Sequence, residues 1–237
     1  MDAAAAELGR PAKPDPPPEN DQRIGLPLAT LLSALAGYVD AVGYLRLNHV
    51  FVSYMSGTTT IFAVAMGGGD APLWHRAVEV LGLFVVGVVL GSLLGIAARR
   101  WHAPAVLAAV AALLAIAPAV PHDPVVPMVL AMGALNAAME HAGPVHVSLT
   151  YVTGTLVKFG RGLAQLVARQ THGASWLAPS LPWIGLFAGA IAGGFAERGM
   201  GLAALWPGAG AAVILTSVAA VTVLRAGRRP AGTEAGR

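Results

Sequence analysis

Few side chains in this sequence could do chemistry, and nearly all of them sit in apolar surroundings. Asp40 lies inside Gly37-Tyr38-Val39-Asp40-Ala41. A carboxylate within a membrane segment costs about 2.5–3.5 kcal/mol on insertion scales, and it usually faces a cavity or a partner. Asp40 could bind a cation, a proton or a substrate amine; alternatively it is interfacial and pairs with Arg46. About 97 residues later, Gly133-Ala134-Leu135-Asn136-Ala137 presents Asn136 at the matching place, an isosteric amide without charge. An acid and an amide at corresponding positions could hold a polar or cationic solute asymmetrically, although an Asn also serves as interhelical glue.

A second motif recurs in the same order. Tyr54-Met55-Ser56-Gly57-Thr58 is matched by Tyr151-Val152-Thr153-Gly154-Thr155. Hydroxyl-Gly-Thr runs can unwind a helix and free carbonyls and amides to coordinate an ion or solute. Ser and Thr also bond their own helix backbone, and Gly also permits close packing. Tyr54 and Tyr151 could cap a cavity or mark a membrane interface. The expected substrate-binding set is therefore Asp40, Tyr54, Ser56, Gly57, Thr58, Asn136, Tyr151, Thr153, Gly154 and Thr155. Glu140 and His141 could relay protons, but Gly143 and Pro144 follow at once and favour a loop at the membrane edge. Lys158 and Arg161 read as a basic anchor or as a partner for an anionic headgroup. No Ser/His/Asp order, phosphate loop, paired acids or metal-ligand spacing appears, so no enzyme, cofactor or metal is expected.

The elements that must position these residues are apolar segments. The chain has 237 residues, is 56% hydrophobic and only 11% charged, which is poor for a soluble domain. Cys is absent, which excludes disulfides and thiolate sites. The net charge of +3 could suggest nucleic acid, but the basic residues sit at segment ends, where they set membrane topology. Eight apolar segments fall at roughly 24–45, 51–67, 78–98, 104–120, 125–142, 146–168, 182–198 and 203–224. No alternating ten-residue pattern appears, so they are read as helices rather than strands of a barrel.

Recurrence of the motifs, with Gly82-Leu83-Phe84 and Gly185-Leu186-Phe187 as a third pair, divides the segments into two groups of four. The fold expected is an all-α polytopic transmembrane bundle of two internal repeats. The favoured form is 3+3 inverted, with a broken or re-entrant segment in each half; eight full spans are the alternative. The inverted form leaves only Arg46, Arg76 and Arg198 outside among 15 basic residues, one fewer than eight spans would leave. Residues 1–23 form a Pro-rich tail with too little apolar surface to fold. Repeat 1 takes 24–122, repeat 2 takes 123–224, and 225–237 is a short polar cytoplasmic tail.

On Gly37-Tyr38-Val39-Asp40-Ala41, Phe51-Val52-Ser53, Met55-Ser56-Gly57, Asn136-Ala137 and Thr153-Gly154-Thr155, the chain resembles the YoaK family of bacterial multi-pass membrane proteins. The resemblance runs from about residue 26 to residue 224. Where that family usually has Asn after the first Ser/Thr-Gly, this chain has Thr58, keeping a hydroxyl and losing an amide. The resemblance implies a bacterial inner-membrane location and no established activity. The expected function is transport of a small solute or ion at a polar site between the repeats; the alternative is a non-transporting structural or assembly protein of the envelope. The expected partners are the lipid bilayer and that solute, with a homo-oligomer left open and nucleic acid excluded.

Overall fold

The computed structural model describes residues 19–120, 123–140, 152–169 and 175–226. Eight α-helices are found among them, and no strand: α1 (Glu19–Arg46), α2 (Met55–Gly68), α3 (Ala71–Ala98), α4 (His102–Ile116), α5 (Val125–Glu140), α6 (Val152–Val167), α7 (Leu181–Met200) and α8 (Leu205–Ala226). They follow the eight apolar segments closely. α1 begins at Glu19 and so takes in residues 19–23 of the stretch read as tail.

Three stretches, Leu26–Arg46, Ala71–Ala119 and Leu177–Arg225, are long and apolar enough to cross a membrane. The second and third each hold two α-helices, which fold back at Arg99 and Gly201, both with positive φ. The outward face of α3 carries exposed Val85, Val89, Leu93 and Ile96, while its inward stripe is Gly87, Gly91 and Gly95. Apolar side chains outside and glycines inside suit a helix whose solvent is lipid, because small residues let helix backbones approach.

Two helix pairs do the closest packing. α1 lies on α7, where Gly185, Gly189 and Gly193 face the backbone of Thr30, Ala34 and Tyr38 in that order, so the two helices run parallel. α3 lies on α5 in the same way: a Cβ at Gly87 would come within 2.6 Å of the Leu130 carbonyl, and one at Gly91 within 2.7 Å of Ala134 Cα. Gly37 meets the Leu186 carbonyl, and Gly133 meets that of Phe84. The first helix of each half thus packs on the third helix of the other.

The ends of the bundle can be assigned from side-chain contacts. At one end Arg46 pairs with Glu197 at 2.7 Å and Arg76 pairs with Asp123 at 2.6 Å. Residues 117–119 pack there against 201–204. At the other end, Leu28 of α1, Arg99 and His102 at the α3–α4 corner and Thr222 of α8 surround one pocket. His102 also lies 3.3 Å from the Ala137 carbonyl near the end of α5. α1 and α7 therefore run one way along the bundle, and α3 and α5 run the other. The buried core between them holds Leu32, Val39, Leu107, Leu114, Met128, Met132, Leu135 and Leu205.

Candidate functional site

α1 ends at Arg46, and the chain then reverses through Asn48 and His49, which have φ of 52° and 63°. Asn and His are among the residues that tolerate this left-handed region best. The reversal sends residues 50–53 back down the side of α1 to the level of Asp40, about 9 Å before the helix end. There the Val52 and Ser53 amides donate to Asp40 Oδ1 at 2.8 and 2.7 Å, and the Ser53 hydroxyl donates to Oδ2 at 2.5 Å. Asp40 is buried, with 7% of its surface exposed, so these donors replace the water it lacks. Arg46, its expected alternative partner, is engaged by Glu197 instead.

From this deep point α2 climbs back to the end that α1 had reached, closing on Gly69 in the left-handed conformation beside the start of α3. Phe62 of α2 meets Trp74 of α3, with ring centroids 6.5 Å apart. α6 runs the opposite way. Val152 and Thr153 begin it in the same cavity as Asp40, and Phe159 meets Trp183 near the start of α7. The two short helices thus leave the middle of the bundle toward opposite ends, each with its N-terminus inward.

Between them lies a cavity of about 520 Å³, within the range usual for small-molecule sites. α1 contributes Gly37, Asp40 and Tyr44, and the returning loop contributes Phe51, Ser53 and Tyr54. The far wall comes from the second half of the chain: Val152, Thr153 and Leu156 of α6, with Trp183, Leu186 and Ala190 of α7. Tyr44 and Phe51 stand 4.9 Å apart between ring centroids, and Phe51 meets Tyr54 edge-on at 5.4 Å.

The expected site residues are only partly brought together. Asp40, Tyr54 and Thr153 line the cavity. Ser56, Gly57 and Thr58 do not, and neither they nor Thr153, Gly154 and Thr155 interrupt a helix; each triplet forms a helix's first turn. Thr58 is buried and donates to the Phe51 carbonyl at 2.8 Å, pinning the returning loop, and Thr155 donates to the Val152 carbonyl at 2.7 Å. Thr59 and Thr60 likewise bond back into their own helix. Gly57 leaves room for the Tyr54 and Phe51 rings, which a Cβ there would strike. The irregular backbone falls earlier, at 47–54.

Asn136 is buried, and its amide donates to the Met132 carbonyl at 3.0 Å within α5. It does not line the Asp40 cavity, so acid and amide do not share one site. Tyr151, His141, Gly143, Pro144 and His146 lie outside the described residues, as does the Glu140 side chain. Sequence reasoning missed Ser53, Tyr44 and Trp183 as site members. Ser53 had a signal in the Phe51-Val52-Ser53 motif; the other two needed the fold to place them.

Helices with lipid-grade surfaces around one buried carboxylate define a polytopic membrane protein, and comparison with known sequences agrees. A family described as "Protein of unknown function (DUF1275)" matches residues 28–218, and the chain belongs to that family. It is 39% identical over 199 residues to the UPF0700 transmembrane protein RA0705 of Rhizobium meliloti (strain 1021), covering 83% of this chain and 86% of that one. It is also 33% identical over 141 residues to the UPF0700 transmembrane protein YoaK of Bacillus subtilis (strain 168), covering 54% of this chain and 63% of that one. No solved structure matches the chain.

Proposed function

We propose that this protein is a bacterial inner-membrane carrier of a small solute or ion, built of two oppositely inserted halves that share the Asp40 cavity. The observation that supports this reading best is the composition of the cavity wall, with α1 and the loop before α2 on one side and α6 and α7 on the other. Sites between related halves, at points where helices are interrupted, are the usual place for a carried solute. Opposed running directions of α1 and α5 support inversion. α2 and α6, each returning toward the end it came from, are read as re-entrant, since irregular backbone at membrane depth survives only where protein or a wet cavity covers it. Arg46, Arg76 and Arg198 then fall on the outer face, with Arg99, Arg100 and Arg225 inside, as the positive-inside tendency asks. The reading assigns no catalytic step.

The test is solute or proton flux into liposomes holding the purified chain, with Asp40→Asn as the variant. Flux that falls while the variant remains folded supports the reading; unchanged flux removes Asp40 from it. A second reading, a non-transporting structural protein of the envelope, is favoured by one observation: the Asp40 carboxylate ties residues 52 and 53 of the returning loop to α1, which is a structural task. It predicts no flux for any solute and a fold that depends on Asp40.

A further inference from the structure

The chemistry of the cavity wall narrows what could occupy it. The groups that donate to Asp40 are neutral, the backbone amides of Val52, Ser53 and Tyr54 and the Ser53 hydroxyl, so they orient the carboxylate without cancelling its charge. Among the described residues no ion pair reaches it, because Arg46 is held by Glu197, and Arg76 by Glu79 and Asp123. An uncompensated carboxylate in a poorly hydrated site repels anions and attracts a cation. Three aromatic rings line the same wall, those of Tyr44, Phe51 and Tyr54, while Trp183 lies farther along the cavity near the start of α7. The face of an aromatic ring attracts a cation, and several rings together recognise alkylated ammonium groups.

Hydrogen-bonding capacity decides which cation. A bare metal ion needs about six oxygen ligands, and a primary ammonium brings three N–H groups that each require an acceptor. Asp40 Oδ1 already accepts twice and Oδ2 once, the other side-chain acceptors on the wall are the hydroxyl oxygens of Tyr44, Ser53, Tyr54 and Thr153, and the remaining side chains are hydrocarbon or ring. A quaternary ammonium carries charge with no N–H left unsatisfied, and about 520 Å³ accommodates one with a short side arm. We propose that this cavity binds a small quaternary ammonium cation, with Asp40 as counter-ion and the rings of Tyr44, Phe51 and Tyr54 beside it. The inference deepens the carrier reading by naming the solute class of the same site, and it depends on that reading only for movement across the membrane.

Equilibrium dialysis of the full chain in nanodiscs against radiolabelled choline tests binding apart from transport. Saturable choline binding is expected, displaced by tetramethylammonium. 3,3-Dimethylbutan-1-ol, which has choline's shape without its charge, should compete at least about tenfold more weakly, since it gains nothing from the carboxylate or the ring faces. Asp40→Asn should weaken choline about tenfold or more, on the scale of losing one charge-pair interaction. Tyr44→Leu removes one lining ring that takes no part in the Asp40 hydrogen bonds; it should weaken choline several-fold even if Asp40→Asn proves unfolded. The proposal is overturned if the folded protein shows no saturable choline binding, if the neutral alcohol binds as well as choline, or if both variants bind normally. Choline binding without flux in vesicles would sink the carrier reading and leave this inference standing. Flux of another solute without choline binding would do the reverse.

Discussion

Replacing Asp40 by Ala and by Asn separates its role as an anchor from its role as a charge. Ala removes every acceptor contact of the carboxylate and leaves the Val52 and Ser53 amides buried without a partner. Each orphaned buried donor costs about 1–3 kcal/mol, so the two together cost about 2–6 kcal/mol before the lost Ser53 hydroxyl contact is counted. That is a large part of the 5–15 kcal/mol typical of a whole domain. Asn behaves differently. Its carbonyl oxygen can take the place of Oδ1 and accept from both amides, and the Ser53 hydroxyl can turn to accept from the new NH2. The loss is then the charge-assisted share, about 1 kcal/mol. Hydrogen exchange by mass spectrometry over residues 47–58, with thermal unfolding in detergent, reads both effects. Asp40→Ala should raise exchange of this loop by two or more orders of magnitude, because about 1.4 kcal/mol is a factor of ten in the opening equilibrium. Asp40→Asn should raise it by about tenfold or less. Equal exchange in the two variants, or an Ala variant as protected as the parent, would refute the claim that this carboxylate holds the returning loop.

Other outcomes follow from the same contacts. Gly189→Val should separate α1 from α7 and abolish the folded, monodisperse protein, since its Cβ would overlap the Ala34 carbonyl. Gly194→Ala, where the added carbon meets nothing, should be neutral or gain about 1 kcal/mol in melting experiments. Thr58→Val keeps the volume but loses the bond to the Phe51 carbonyl; a loss of about 1 kcal/mol is expected, with faster exchange confined to the loop. Single cysteines beside Arg76 and Arg198 should label from one side of a sealed vesicle and cysteines beside Arg99 from the other. Labelling of Arg76 and Arg99 positions from the same side would overturn the assignment of the bundle's ends.

Much of this arrangement was legible in the sequence because hydropathy depends on local composition. The eight apolar segments became eight helices, and Asp40 stood out because a lone acid in such a segment needs a reason to be there. What failed was reading side chains as the cause of irregular backbone. Ser56-Gly57-Thr58 and Thr153-Gly154-Thr155 looked like breaks, yet each opens a helix, and the irregular stretch is 47–54. That stretch includes Phe51, Val52 and Ser53, which sequence alone cannot distinguish from the start of a helix; its shape comes from the tertiary bonds to Asp40. Asn136 matches Asp40 by position, yet among the described residues its bond is to the Met132 carbonyl of its own helix, since whether a polar group faces a cavity depends on neighbours far away in the chain. Trp183 stands near the start of an apolar segment, with nothing local to mark it, and only the fold brings it to the cavity wall.

The seam between α1 and α7 has a mechanical side. Gly185, Gly189 and Gly193 bring it to backbone contact, and at these points carbonyls rather than long side chains meet the glycines. A groove without teeth resists pulling apart but offers little resistance to sliding lengthwise. The cavity wall is divided across that groove, with Asp40 riding on α1 and Trp183 on α7, so a short axial slip of one helix past the other would reshape the cavity between them.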